Sequence, residues 1–145
     1  MREAGLADQI EILRQDFREV EWPSETYRVV SNPPFGLTTP LFASLFDNPA
    51  EGPLRADLLI QFEVARKRAA VPPTSLRSAA WAPWWAFQLG PVVPRSAFRP
   101  VPRVDTALLT ARRRNPAVLP EWLAPQLREL LRPGWSPPPP MRSEP

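Results

Sequence analysis

Tyr27-Arg28-Val29-Val30-Ser31-Asn32-Pro33-Pro34-Phe35 reads as a buried strand that runs directly into a rigid loop. The β-branched pair Val29 and Val30 favours extended backbone. Two consecutive prolines then end any ladder and hold the following backbone nearly fixed. In open α/β sheets the carboxyl end of a strand is where ligands are met. Here that position presents the side-chain amide oxygen of Asn32 and the backbone carbonyl of Pro33. Two such acceptors suit a planar exocyclic amine, such as that of adenine, whose lone pair is delocalised into the ring. They take its two N–H bonds and orient it toward an electrophilic methyl group, while Phe35 stacks on the base. This is catalysis by positioning. The competing reading is a plain turn, because Asn-Pro recurs at Asn48-Pro49 and Asn115-Pro116 in a chain with 22 prolines.

Composition narrows the chemistry. A chain of 145 residues makes about one domain. Hydrophobic residues make up 43% of it and include six Trp and seven Phe, enough for a packed core. Cys and His are both absent, which excludes disulfides, thiolate zinc sites, Cys nucleophiles and His general bases. Carboxylates, amides, hydroxyls, Tyr27 and the backbone remain, and no metal is expected. No stretch reaches the roughly 18 apolar residues of a membrane span. The start, Met1-Arg2-Glu3-Ala4, has no apolar signal region. A cytoplasmic protein without membrane contact is therefore expected.

The net charge of +3 is unevenly spread. Residues 1–26 carry three Arg against seven acids, a net of −4, whereas residues 94–114 carry six Arg against one Asp, a net of +5. A basic stretch beside a base-binding loop points to a polyanion partner. An ordinary solvated arginine face is the alternative.

Along the chain, residues 3–9 read as the end of a helix. Ile10 to Arg14 has strand character and would deliver Asp16 to a carboxyl end. Thr39 is a candidate helix cap, with Pro40 as the first helical residue before Leu41 to Phe46. Ala56 to Gln61 reads as another buried strand, and Glu63 to Ala69 as a short basic helix. Trp81 to Leu89 and Val104 to Ala111 read as two last strands, forming an antiparallel edge hairpin around the loop Pro91 to Arg103. Trp81, Trp84 and Trp85 read as sheet packing. Pro120 to Leu131 reads as an amphipathic helix shortened or kinked by Pro125. From Pro133 onward, including Pro137 to Pro140, the chain reads as a proline-rich tail without fixed structure.

The second informative stretch is the loop Pro94-Arg95-Ser96-Ala97-Phe98-Arg99-Pro100-Val101-Pro102-Arg103-Val104-Asp105. Prolines keep it extended, arginines line it, and Phe98 is its one aromatic residue. It is suited to close over a flipped-out base from the side opposite Phe35. Stacking of a base on an aromatic ring contributes about 1–3 kcal/mol, comparable with the few kcal/mol needed to unstack a nucleotide. Arg95, Arg99 and Arg103 are candidate phosphate contacts that carry no sequence readout. Arg66 to Arg68 and Arg112 to Arg114 are weaker candidates.

Taken together, these residues resemble the ribosomal RNA adenine N6-methyltransferases, most nearly the erythromycin-resistance branch that modifies large-subunit RNA. That family carries Asn-(Ile/Leu)-Pro-(Tyr/Phe) after its fourth strand, and Asn32-Pro33-Pro34-Phe35 departs from it only at Pro33. Asn-Pro-Pro-(Tyr/Phe) also occurs in DNA adenine and protein glutamine methyltransferases. Phe98-Arg99-Pro100-Val101-Pro102-Arg103-Val104 matches the Phe-x-Pro-x-Pro-(Lys/Arg)-Val stretch specific to the ribosomal RNA family. Asp16-Phe17 looks like its acidic strand end, and Gln61-Phe62-Glu63-Val64-Ala65 like its fifth-strand segment.

The resemblance runs from about Ile10 to Arg114 and implies the carboxyl-terminal half of a Rossmann-like α/β methyltransferase sheet with a short helical and proline-rich tail. Residues 1–115 would be the partial catalytic domain, 116–132 a remnant of a helical RNA-binding domain and 133–145 the tail. The implied cofactor is S-adenosyl-L-methionine, held by Asp16, Phe17 and Asn32. The implied catalytic set is Asn32, Pro33, Phe35 and Phe98, and the implied partner is ribosomal RNA, 23S in preference to 16S. The family's Gly-rich cofactor turn has no counterpart, since glycines occur only at 5, 36, 52, 90 and 134 and never as Gly-x-Gly. The expected function is macrolide-resistance-type methylation of a 23S adenine by a truncated enzyme. The alternatives are an inactive RNA-binding remnant and a fragment of a DNA adenine methyltransferase.

Overall fold

A computed structural model describes residues 7–136. Four strands form one mixed sheet: β1 (Arg28–Ser31), β2 (Arg55–Gln61), β3 (Trp85–Val93) and β4 (Thr106–Arg113). Their spatial order is β1-β2-β4-β3. β1 runs parallel to β2, and β4 runs antiparallel to both β2 and β3. Four helices accompany them: α1 (Thr38–Phe46), α2 (Phe62–Ala69), α3 (Leu76–Trp81) and α4 (Ala124–Leu131).

The core lies against β2 and β4. β2 alternates half-buried and fully buried positions, with Ala56, Leu58 and Ile60 at 0% exposure, the period-two pattern of a covered strand. Leu41, Phe42, Leu45 and Phe46 of α1 and the trio Trp81, Trp84 and Trp85 fill the space beside it. The tryptophans are core residues, and each buried indole finds an acceptor: Trp81 Nε1 donates to Asp47 Oδ1 (2.9 Å), Trp84 Nε1 to the Leu119 carbonyl (2.9 Å) and Trp85 Nε1 to the Pro53 carbonyl (3.1 Å). Leu119 and Leu127 pack on the same cluster, so residues 118–127 close the core around β3 and α3.

Several expectations need correction. Ile10 to Arg14 is not a strand: the segment lies outside the sheet with Ile12 80% exposed, because no neighbouring strand pairs with it. Of the helix end expected at 3–9, the described part is a single 3-10 turn at Ala7–Gln9. Thr39 does not cap α1; a 3-10 turn at Phe35–Leu37 runs straight into the helix, whose first residue is Thr38. Trp81 to Leu89 is not one strand either, since Trp81 ends α3, a helix capped by Ser75 Oγ accepting from the Ser78 N–H. The last two strands do pair antiparallel, but β4 lies inside the sheet and only β3 is at its edge. Of the tail expected from Pro133 onward, residues 137–145 lie outside the described residues.

Candidate active site

The sheet topology gathers Asn32 and the loop 94–105 on one rim. Because β4 is antiparallel to both its neighbours, β3 runs parallel to β1 and β2, and the carboxyl ends of all three face the same way. Gln61 and Val93, the last residues of β2 and β3, both pair with Thr106, the first residue of β4. Asn32 follows β1, Phe62 follows β2, and the loop 94–105 bridges β3 to β4 at that rim.

On the β1 side, Pro33 is buried, and Asn32 and Pro34 are exposed. The burial of Pro33 anchors the turn, and the Leu37 N–H donating to the Pro34 carbonyl (2.9 Å) closes it. Asn32 thus presents its amide to solvent from a fixed backbone. Phe35 is half-buried at the start of the 3-10 turn.

On the β2 side, the loop 94–105 is tied down at its base. The Phe62 N–H donates to the Asp105 carbonyl (3.0 Å), and the Arg95 N–H donates to Asp105 Oδ1 (2.9 Å). A cavity of about 430 Å³ opens there, walled by Gln61, Phe62, Glu63, Arg95, Arg103 and Asp105 among others. Arg95 and Arg103 are brought together in it, and Arg95 Nη1 reaches the Arg103 carbonyl at 3.5 Å. Arg99 instead turns back on its own loop, donating to the Ser96 and Phe98 carbonyls (3.2 and 3.0 Å). Phe98 is half-buried. Neither Phe35 nor Phe98 belongs to the ring stacks of the core, which join Phe42, Phe46, Trp81, Trp85 and Phe87.

Asp16 and Phe17 lie on the amino-terminal segment. Asp16 caps a 3-10 turn at Phe17–Glu19 by accepting from the Arg18 N–H (2.9 Å), and its carboxylate also pairs with the Arg18 guanidinium. Those hydrogen bonds from Arg18 lower the Asp16 pKa to about 2. Phe17 packs half-buried on the core. Gln61, Glu63 and Asp105 were not singled out as site residues by sequence reasoning. Their signal was positional: Gln61 ends a strand whose alternate residues are all buried, and Asp105 precedes the next strand.

The model of the ribosomal RNA adenine dimethylase family matches residues 2–132. The chain belongs to that family. Within it, an rRNA adenine N-6-methyltransferase of Corynebacterium diphtheriae is 44% identical over 104 residues, covering 72% of this chain and 40% of that protein. The mycinamicin-resistance protein MyrB of Micromonospora griseorubida is 36% identical over 126 residues, 87% of this chain and again 40% of the relative. The crystal structure of the 23S rRNA methyltransferase ErmE superposes with a TM-score of 0.74 at 27% identity, over 87% of this chain and 52% of ErmE. The fold is therefore that of a Rossmann-like methyltransferase sheet, and the chain spans about two fifths of the length of these curated dimethylase relatives.

Membership in the dimethylase family implies S-adenosylmethionine as methyl donor. A carboxylate offers about four acceptor positions, and Arg18 occupies three of those on Asp16. One is left for an amine such as that of the cofactor's adenine. The described residues include no glycine turn that would cradle the methionine end.

Proposed function

We propose that this chain forms the target-adenine side of a ribosomal RNA adenine N6-methyltransferase of the macrolide-resistance type, acting on 23S in preference to 16S rRNA. The single observation that carries the reading is the exposed Asn32 amide on a turn clamped by buried Pro33, on the same rim as the arginine-lined loop. In this reading the Asn32 amide oxygen and the Pro33 carbonyl accept the two N–H bonds of the adenine amine. That interaction fixes the lone pair toward the incoming methyl group and prevents rotation of the amine. Phe35 and Phe98 hold the extruded base by stacking. Arg95 and Arg103 meet the flanking phosphates, and Arg99 joins them when it leaves its own loop carbonyls. S-adenosylmethionine, when bound, supplies the electrophilic methyl; Asp16 and Phe17 hold its adenine end and Asn32 borders its methyl end.

Methyl transfer from labelled S-adenosylmethionine to 23S and 16S transcripts tests this. Transfer to 23S rRNA is expected, with Asn32→Ala lowering it by about 10²-fold or more through lost positioning. Undiminished transfer by that variant would remove the assignment. A second reading is favoured by the commitment of Asp16 to Arg18 and the missing Gly-x-Gly: an RNA-binding chain without transferase activity. Calorimetric titration with S-adenosylhomocysteine separates the two, since saturable binding supports the enzyme and its absence in a folded chain supports the remnant.

A further inference from the structure

Arg68, near the end of α2, is a half-buried cation that forms no ion pair among the described residues. Its guanidinium lies 5.3 Å from the Trp81 ring and 5.8 Å from the Phe42 ring, which hold its plane in place. Nη1 donates to the hydroxyls of Ser75 (2.8 Å) and Ser78 (3.0 Å), whereas Nε is buried with no acceptor. Burial lowers its pKa from the usual value, and nearby Arg77 adds to the effect. No carboxylate among the described residues forms an ion pair with Arg68 or with its exposed neighbour Lys67. The one acid on this face, Glu63, is already paired with Arg66 at 2.6 Å.

Arg68 and Lys67 open onto a depression of about 610 Å³, with the hydroxyl-bearing residues Thr39 and Thr74 on its walls. Two uncompensated cations and two hydroxyl residues make a tetrahedral-oxyanion environment, and a guanidinium already fixed by two rings loses little freedom on binding. Glu63 also walls the cavity that holds Arg95 and Arg103, so the two basic depressions are adjacent along the rim.

We propose that Lys67, Arg68, Thr39 and Thr74 form a seat for a backbone phosphate of the bound RNA strand, separate from the contacts made by the loop 94–105. The seat rests on the RNA-binding reading above and adds to it the path of the strand, from the Arg95–Arg103 cavity past Glu63 onto α2.

Two measurements on the full chain test it. The first is titration with inorganic phosphate followed by the Arg68 Nε–H resonance, which is shielded from solvent by its burial. A saturable shift is expected, weakened in Lys67→Gln, an exposed substitution that leaves the ring stack alone. The second is the salt dependence of binding to a 23S rRNA fragment. Lys67→Gln should reduce the slope of log affinity against log salt by about 1, while Arg28→Gln, exposed at the amino end of β1 and so at the rim away from Asn32, should not. RNA binding with an unchanged slope in Lys67→Gln, together with an unmoved Arg68 signal, would overturn the seat and leave the RNA reading standing. A phosphate-dependent Arg68 shift in a chain that binds no RNA would support an anion seat and overturn the RNA reading.

Discussion

A Cβ added at Gly52 would lie 2.2 Å from Cζ2 and 2.7 Å from Cη2 of Trp85, and 2.8 Å from the Leu45 carbonyl oxygen. Trp85 cannot step aside, because it is 1% exposed, donates to the Pro53 carbonyl, and lies under the Arg113 guanidinium 5.1 Å from its ring. Arg113 is itself fixed, donating to the carbonyls of Pro49 and Gly52 and to Glu121 Oε1. Gly52→Ala should therefore destabilise the chain by about 1–3 kcal/mol through overpacking, read as a lowered denaturant midpoint at unchanged slope. An unaltered midpoint would mean that the loop 47–53 yields more easily than this packing allows.

Between elements, Asp57 is the polar link of the sheet. Arg55, on the same strand, donates to it at 2.6 and 2.9 Å, and Thr110 Oγ1 of β4 donates at 2.7 Å. The Arg55 hydrogen bonds hold its pKa below the ordinary 3.8, with burial opposing and Thr110 assisting. Since the folded value is the lower one, the stabilisation is complete above the unfolded value and is lost as pH falls through the folded value. As pH falls below the ordinary carboxylate range, unfolding midpoints of the wild-type chain should fall more steeply than those of Asp57→Asn; parallel curves would exclude the link. The elements best read from sequence were those whose pattern is local. β2 is a short apolar run, α2 is a short stretch with three basic residues in its last turn, and the Asn-Pro-Pro turn has its own chemistry. Ile10 to Arg14 misled because strand propensity is realised only beside a pairing partner. α3 was hidden because its aromatic end looked like strand, although Ser75 and Ser78 carried a capping signal. The motifs located Asn32 after a strand and Arg95 and Arg103 in a loop, as the structure has them, whereas the cavity walls formed by Gln61, Glu63 and Asp105 required knowing which strand ends meet.

At the scale of the whole molecule, β1 leaves one long edge of the sheet unpaired among the described residues, with Val30 86% exposed. An open edge with an apolar side chain invites pairing with another chain. Light scattering should show mass rising with protein concentration, and Val30→Lys should shift the chain toward monomer by placing a charge on that edge. A wild-type chain that stays monomeric and melts cooperatively would show that the edge is protected. The opposite side of the sheet behaves differently, because there the reversed strand β4 lies between two strands of the other direction. Its insertion means that the loop 94–105 stands with one foot on the edge strand β3 and the other on the interior strand β4, latched by Asp105 to Phe62 and to Arg95. The twelve-residue span between those feet can thus be lengthened, shortened or rewritten without unpicking a single strand pairing. Change written into that hoop leaves the frame that presents Asn32 as it was.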